Sequence, residues 1–239
     1  MAITDAVRVG PVRRSLLALA FGAFGLATGE FVALGLLPQM ADGVGVSIPR
    51  AGHFVSAYAL GVVVGAPLLT AAAVRLPRKG LIIALALALA LGNVGSAIAP
   101  DYTSLLVLRF VAGLPHGAYF GVAAVMASHL VPEARRSRAM AVVFGGLTLA
   151  NVVGVPLTTF MGQQTRRRWV FGLVAVLEVL AALAILAVVP RERPEHAAER
   201  PSLAREARCL PQARRSGSPS RWRSSAAAPC SPPSPTSRR

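Results

Sequence analysis

One stretch of 28 residues, 104–131, limits what this chain can fold into more than any other feature. It reads SLLVLRFVAGLPHGAYFGVAAVMASHLV and contains a single charged side chain, Arg109. With a rise of about 1.5 Å per residue, a helix of this length reaches about 42 Å, which is enough to cross a hydrocarbon core of roughly 30 Å with tilt. We therefore predict a membrane-spanning helix at 104–131.

Five further apolar stretches extend this prediction over residues 15–190. We name the predicted helices span 1 to span 6 and expect them at 15–38, 51–73, 80–99, 104–131, 139–161 and 169–189. The first follows a short basic segment, 1–14, but it is too long for a signal peptide and more spans follow it. The mean hydropathy of the chain, +0.57, agrees with this pattern. The predicted fold class is an all-α membrane protein with a bundle of six transmembrane helices.

The chain changes character after Pro190. Residues 191–239 are rich in Arg, Ser, Pro and Ala and contain no run that could span a membrane, which predicts a disordered basic tail. GC-rich codons read out of frame give such a mixture, so we expect a frameshift near 195–215; an authentic tail that binds anionic lipid or nucleic acid is the alternative. Both cysteines, Cys209 and Cys230, lie in this segment and are expected to be free thiols.

The distribution of basic residues predicts that both termini are cytoplasmic. In that orientation the inner segments carry eleven Arg and Lys and the outer segments four, in line with the positive-inside rule. The cytoplasmic loop between spans 2 and 3 contributes Arg75, Arg78 and Lys79. The run 166–168, three arginines before span 6, is the one outer segment that disagrees.

Small residues at four-residue spacing predict where the helices pack closely. Gly113, Gly117 and Gly121 form such a ladder in span 4, and Gly146 and Gly154 belong to one in span 5. Spans 1 and 2 have similar ladders, whereas spans 3 and 6 have none. We therefore expect spans 1, 2, 4 and 5 at the centre and spans 3 and 6 towards lipid.

Two charged residues within the spans are candidates for proton coupling. A guanidinium in lipid costs roughly 2.5 to 3.5 kcal/mol on insertion scales, so Arg109 should face the bundle interior. Glu30 in span 1 lies at a similar depth, which makes an ion pair between the two possible. Our hypothesis is that protonation of Glu30 releases Arg109 and so couples proton movement to transport; a static pair that only fixes packing is the alternative.

Other polar residues within the spans are candidates for a substrate cavity. These are Tyr58, His116 and Asn151, for which hydrogen bonding between helices is the alternative. Glu178 in span 6 should be protonated or turned inward, and the sequence suggests no function for it. Sequence patterns of hydrolases, phosphate-binding loops and metal-spaced cysteines are absent. We therefore expect no enzyme activity, no cofactor, no metal site and no nucleic-acid partner.

Several segments together resemble a known family. The segments GEFVALGLLPQMADGVGVS, AGHFVSAYALGVVVGAPLL, LRFVAGLPHGAYFGVAA and GLTLANVVGVPL are similar to the N-terminal six-helix half of the major facilitator superfamily, in its bacterial drug:proton antiporter branch of arabinose-, purine- and chloramphenicol-efflux-like permeases. The resemblance covers about residues 15–190.

The resemblance implies roles for several residues. Arg109, Gly113 and Gly117 match a fourth-helix motif whose arginine is associated with proton coupling. Gly146, Gly154 and Pro156 correspond loosely to a fifth-helix antiporter motif, a glycine-proline bend. The loop between spans 2 and 3 departs from the family, because Val74 and Pro77 stand where an acid and a glycine are expected.

The resemblance also implies a function. It predicts a multi-pass transporter of a bacterial inner (plasma) membrane that exports small molecules or drugs in exchange for protons and could confer drug resistance. Its partners would be a small-molecule substrate, protons and the lipid bilayer. Because family members have two six-helix halves, we expect a truncated transporter. The alternatives are an inactive half, a half that regains a cavity by self-association, and a membrane interaction protein that transports nothing.

Overall fold

A computed structural model describes residues 2–73 and 76–190 of the chain. The segment 191–239 and Arg75 lie outside the described residues, and so do the predictions made for them. The helices are Ala2–Gly35, Leu37–Val44, Ile48–Ala73, Arg78–Ile98, Tyr102–His129, Arg136–Leu149, Val155–Gln164 and Arg167–Val188. A 3-10 turn, Glu133–Arg135, and a π-helical turn, Ala150–Gly154, complete the order.

Six segments of these helices are long and apolar enough to cross a membrane. They are Gly10–Gly35, Ile48–Leu69, Arg78–Ile98, Tyr102–His129, Glu133–Gln164 and Arg167–Val188, and they correspond to spans 1 to 6. The predicted all-α membrane fold with six spans is thereby confirmed. We label the two ends of the bundle cytoplasmic and periplasmic after the orientation that the positive-inside count predicts, and the labels carry only that prediction.

Spans 2, 3, 4 and 6 begin two or three residues earlier than the apolar pattern predicts, and span 5 begins six residues earlier. Span 4 shows the reason: Asp101 is its N-cap, and its carboxylate accepts a hydrogen bond from the Ser104 backbone N–H at 3.0 Å. The Ser104 side chain lies against the Asp101 backbone N–H in return, which completes a capping box. These bonds to the ionised form hold the pKa of Asp101 below its ordinary value. Polar residues therefore extend the helix beyond its apolar part.

Spans 2 and 4 pack against each other through glycines. A Cβ on Gly113 would overlap the Tyr58 carbonyl oxygen, and a Cβ on Gly117 would lie 2.6 Å from the Ala66 Cβ. Gly121 is exposed and a Cβ there would meet nothing within 4 Å, so its predicted packing role is wrong. Each four-residue step rotates about 40° around the helix, and the ladder has turned away from span 2 by its third member.

Spans 3 and 6 are joined at both ends by side chains that cap each other's helix. At the periplasmic end, Arg167 donates to the carbonyl oxygens of Ser96 and Ala99, at 3.2 and 2.9 Å. At the cytoplasmic end, Lys79 donates to the carbonyl oxygens of Leu186 and Val189, at 2.8 and 2.5 Å. Both cations meet the carbonyls that end a helix, where the helix dipole favours positive charge. Arg167 is therefore buried, although the positive-inside count included it among the charges of an outer loop.

The six spans differ in how much of their surface the other described residues cover. In the most apolar parts of spans 2 and 5, 22% of the residues are buried, against 44 to 61% in the other four spans. Spans 3 and 6 pack on each other and on spans 4 and 1, and the expected placement of spans 3 and 6 towards lipid stays a prediction. A ladder of small residues predicts where two helices come close, but it does not predict how much of the rest of each helix is buried.

Candidate functional site

Polar side chains, five of them buried and one partly exposed, form a layer between two apolar clusters. In span 1, Glu30 lies between Leu26 of one cluster and Val32 of the other, and spans 3, 4 and 6 show the same order of apolar, polar and apolar residues. We call this set the polar layer. It consists of Glu30, Tyr58, Asn93, Arg109, His116 and Glu178. Because apolar side chains lie on both sides of the layer, an unpaired charge within it is energetically costly.

Three members of the polar layer form a chain of polar contacts across spans 1, 2 and 4. The Tyr58 hydroxyl lies 2.9 Å from His116 Nδ1 in a hydrogen bond. The other ring nitrogen, Nε2, lies 3.5 Å from Glu30 Oε2. Glu30 is the open end of this chain, since its side chain is 30% exposed while that of His116 is 10% exposed. The chain of contacts therefore ends in a carboxyl group that is partly open to the surroundings.

Arg109 lies beside this chain but does not form the predicted ion pair with Glu30. Its guanidinium stacks on the Tyr58 ring, 4.4 Å from the ring centroid, and lies 5.5 Å from that of Phe171. The side chain is fully buried, and Nε and Nη1 have no hydrogen-bond partner among the described residues. The expected interior position is correct, but the direct partner of Glu30 is His116. The prediction used only the depth of each residue along its helix. Depth does not determine which way a side chain points around the helix axis.

Glu178 lies inside the bundle, on the same side of span 6 as Phe171. It is 2% exposed, and both carboxylate oxygens accept from Asn93 Nδ2, at 3.0 and 3.1 Å. Neither residue has a role predicted from the sequence. The signal for this pair was available: each of two neighbouring apolar helices carries a polar residue near its middle, and such residues find each other in a bilayer.

Asn151, the third predicted cavity residue, lies outside the polar layer. It is exposed on span 5, in the π-helical turn Ala150–Gly154, and its amide donates to the Leu147 carbonyl oxygen at 3.0 Å. Pro156 follows the turn and has no N–H to donate to the carbonyl four residues back, which explains the irregular backbone. The structure thus brings Tyr58 and His116 together and leaves Asn151 apart from them.

The remaining predicted residues position helices. Gly146 and Gly154 of span 5 pack on span 1, where added Cβ atoms would overlap the Ala20 carbonyl oxygen and the Thr28 hydroxyl. In the basic loop, Lys79 caps the C-terminal end of span 6. These residues hold the polar layer in place without belonging to it.

Comparison with known proteins places this architecture in a family. The family model of the Major Facilitator Superfamily matches residues 19–231. Inner membrane transport protein YdhP of Escherichia coli (strain K12) is 47% identical over 176 residues, 74% of this chain and 45% of that protein. The Chloramphenicol resistance protein of Streptomyces lividans is 37% identical over 188 residues, 79% of this chain and 47% of that protein. The chain spans about half the length of the curated relatives it matches.

Solved structures agree on the fold. The proton:xylose symporter XylE aligns with a TM-score of 0.64 at 14% identity, over 77% of this chain and 46% of that protein. The human organic anion transporter MFSD10 aligns with a TM-score of 0.61 at 18% identity, over 76% of this chain and 48% of that protein. At these identities the likeness concerns the fold, and it covers one half of each transporter.

Proposed function

This chain belongs to the Major Facilitator Superfamily, as its motifs predicted, and from this premise we propose that it forms one half of a proton-driven exporter of small molecules in a bacterial inner membrane. The names of its relatives support transport as the activity, among them a chloramphenicol resistance protein and a probable sugar efflux transporter. Substrate would bind where the second half of such a transporter faces this one.

The observation that carries the proposal is the chain of contacts from Glu30 through His116 to Tyr58. It has two proton arrangements. In one, Tyr58 donates to a neutral imidazole, and Nε2–H faces the Glu30 carboxylate. In the other, a protonated Glu30 donates to Nε2, and Nδ1–H donates to Tyr58. Protonation at the exposed end therefore reverses every hydrogen bond along the chain, and this change joins spans 1, 2 and 4.

Arg109 places a positive charge next to the contacts that join Glu30, His116 and Tyr58. The guanidinium interacts with Glu30 through space and stacks on Tyr58. When Glu30 takes up a proton, this attraction disappears, and the guanidinium is held less strongly towards span 1. The coupling hypothesis made from the sequence is thus retained, with His116 and Tyr58 as the groups between Glu30 and Arg109. Tyr58 and His116 line the coupling path, while Asn151, on an exposed part of span 5, is proposed to face substrate.

The test uses the full 239-residue chain in proteoliposomes. We expect an imposed pH gradient to drive uptake of radiolabelled chloramphenicol into vesicles that are acidic inside, and we expect Glu30→Gln to abolish the gradient-dependent part. Glu133→Gln is the matched control, because Glu133 is an exposed carboxylate whose weak contact with Arg136 spans 3.9 Å. Gradient-driven uptake that is equal in E30Q and the unaltered chain would refute the coupling role.

One alternative to the proposed function is a half-transporter that moves no substrate unless a second six-helix unit joins it. No uptake by the unaltered chain, together with a single-copy mass in detergent, would support this alternative. Uptake together with a two-copy mass would support self-association.

Orientation can be tested with the two native cysteines. Cys209 and Cys230 both follow span 6, so a membrane-impermeant maleimide should label them only from the cytoplasmic side if both termini lie there. Labelling from the periplasmic side of intact cells would reverse the proposed orientation.

A further inference from the structure

We propose that Glu178 is a protonated and therefore neutral acid that shares its proton with Asn93, and that Glu30 is the only carboxylate of the polar layer. Glu178 is then a second proton-binding site, separate from the chain of contacts that begins at Glu30. This assignment depends on the contacts of Glu178 itself. Its consequence for transport rests on the proposed function.

Glu178 is enclosed by apolar side chains and by the backbone of span 1. It is 2% exposed, and Val174 and Ala182, one helical turn before and after it, are buried as well. On the side of span 1, a Cβ on Gly25 would lie 3.5 Å from Glu178 Cγ, and a Cβ on Gly29 would lie 3.5 Å from Glu178 Oε1. Because these two residues have no side chain, the backbone of span 1 can cover the carboxyl group.

Within the described part of the chain, no cation contacts the Glu178 carboxyl group. The ion pairs found there use other acids, Glu30 and Glu133. Arg109 interacts with Glu178 through space, but its guanidinium stacks on the Tyr58 ring. A buried carboxylate without a contacting cation is costly. A carboxyl group in such a place avoids this cost by taking up a proton.

The Asn93 amide lies against this carboxyl group with its nitrogen alone. Nδ2 is 3.0 Å from one oxygen of Glu178 and 3.1 Å from the other. The amide oxygen, Oδ1, is buried and has no hydrogen-bond partner among the described residues. An ionised carboxylate only accepts hydrogen bonds, so it cannot serve as a partner of Oδ1.

A proton on Glu178 provides the missing donor. A protonated carboxyl group and a primary amide each have a donor and an acceptor on one edge. Rotation of the Asn93 amide then gives a cyclic pair, in which Glu178 donates to Oδ1 and Nδ2 donates to the other carboxyl oxygen. Protonation therefore satisfies a buried acceptor that an ionised Glu178 leaves unpaired.

Charge balance in the polar layer favours the same assignment. The layer holds one arginine, Arg109, and two acids, Glu30 and Glu178. The Glu30 side chain is 30% exposed, whereas Glu178 is 2% exposed, so negative charge is less costly on Glu30. With His116 neutral, an ionised Glu30 cancels the charge of Arg109. A second carboxylate would give the layer a net negative charge.

Ionisable groups on the elements around span 6 either belong to the polar layer or lie near the ends of the bundle. Span 5 has no Asp, Glu, Lys, Arg or His between Ala139 and Gln164. Lys79 and Arg167 bond backbone carbonyls at the two ends. Arg109 is thus the arginine whose charge opposes protonation of Glu178, and Glu30 balances that charge. The groups near the middle are Glu30, Tyr58, Arg109, His116 and Tyr119, and those near the ends are Asp42, Arg78, Lys79 and Arg167.

The assignment determines what protonation of Glu30 does in the proposed transport cycle. With Glu178 neutral, Glu30 carries the only negative charge of the layer. Uptake of a proton at Glu30 then changes the charge of the layer from zero to one positive charge, and no second carboxylate compensates for it. The electrostatic effect of proton uptake on Arg109 is therefore undiminished.

Infrared spectroscopy measures the protonation state of Glu178 and does not require transport. The full chain is recorded in dodecyl maltoside micelles, which contain no carbonyl group, at about pH 7, where an ordinary glutamate is ionised. A protonated carboxyl group gives a C=O band above the amide I band, and this band moves to lower frequency in D2O. We expect the band in the spectrum of the unaltered chain minus that of Glu178→Gln. Glu133→Gln is the matched control and should give no such band, since the Glu133 side chain is 89% exposed.

Asn93→Leu tests whether the proton is shared with the amide. A hydrogen bond lowers the C=O frequency of a carboxyl group, so we expect the Glu178 band to remain in N93L and to move to higher frequency. Ser96→Ala is the control on the same helix, because this buried hydroxyl bonds the Gly92 carbonyl oxygen. The band should keep its frequency in S96A.

A difference spectrum of E178Q without the carboxylic acid band would mean that Glu178 is ionised and would overturn the proposal. A band that keeps its frequency in N93L, or that moves equally in S96A, would overturn the shared proton. If E178Q does not fold, the N93L result decides alone, because Glu178 is the carboxyl group bonded to Asn93. The band in a chain that moves no chloramphenicol would support the assignment while the transport proposal fails, and gradient-driven uptake without the band would give the reverse result.

Discussion

Replacing Gly113 by alanine should separate spans 2 and 4, and the size of the effect can be worked out from the contacts. The new Cβ would overlap the Tyr58 carbonyl oxygen and lie 3.1 Å from both the Tyr58 carbonyl carbon and the Val62 nitrogen. All three are main-chain atoms and cannot rotate away as a side chain could. Overpacking of this kind costs about 1 to 3 kcal/mol.

Helix propensity changes the unfolding free energy in the opposite direction. Alanine in the middle of a helix is more favourable than glycine by about 0.5 to 1 kcal/mol. Gly121→Ala on the same helix gains this term alone, because its Cβ would meet nothing within 4 Å. Subtracting one variant from the other cancels the propensity term, so the two should differ in unfolding free energy by about 1 to 3 kcal/mol, with G113A the less stable.

The assay is unfolding in mixed micelles with increasing sodium dodecyl sulfate, followed by far-ultraviolet circular dichroism. The close approach of spans 2 and 4 predicts a clear separation of the two midpoints. Equal midpoints for G113A and G121A would mean that these backbones do not touch at Gly113, which would refute the glycine-mediated packing of spans 2 and 4.

Three further predictions concern other contacts. Gly146→Ala should lower the unfolding midpoint relative to Gly145→Ala in the same assay, because only the former overlaps span 1. Lys79→Met should speed amide hydrogen exchange at the cytoplasmic end of span 6, where two carbonyls lose their donor; unchanged exchange would contradict the cap. Asp101→Ala should lower the melting temperature near neutral pH, while Asp101→Ser should retain most of the cap. Because the pKa of Asp101 is lowered, the D101A difference should persist above about pH 4 and shrink as the pH falls through the lowered value.

The six spans could be predicted from the sequence because the bilayer imposes length and apolarity on each helix separately. The interior position of Arg109 followed from the same cost. Both properties depend on one helix at a time. They can therefore be predicted without knowing which helices are neighbours. The sequence was sufficient to predict them.

The contacts within the site could not be predicted because they depend on how each helix is rotated about its axis. Glu30 and Arg109 have similar depth, yet Glu30 meets His116. His116 lies seven residues after Arg109 and therefore on the same face of span 4, a pattern that would have suggested the alternative partner. Asn93 and Glu178 are each visible in the sequence as a polar residue near the middle of an apolar helix, but their contact also requires that spans 3 and 6 be neighbours, which the pattern in either helix does not reveal.

The mutual capping of spans 3 and 6 has a consequence for biogenesis. Asn93 and Glu178 are 85 positions apart, and at roughly 5 to 20 residues per second the ribosome needs about 4 to 17 s to make the intervening chain. During that interval the third helix has an amide and terminal carbonyls without their final partners. These groups of span 3 obtain their final partners only after span 6 has been synthesised.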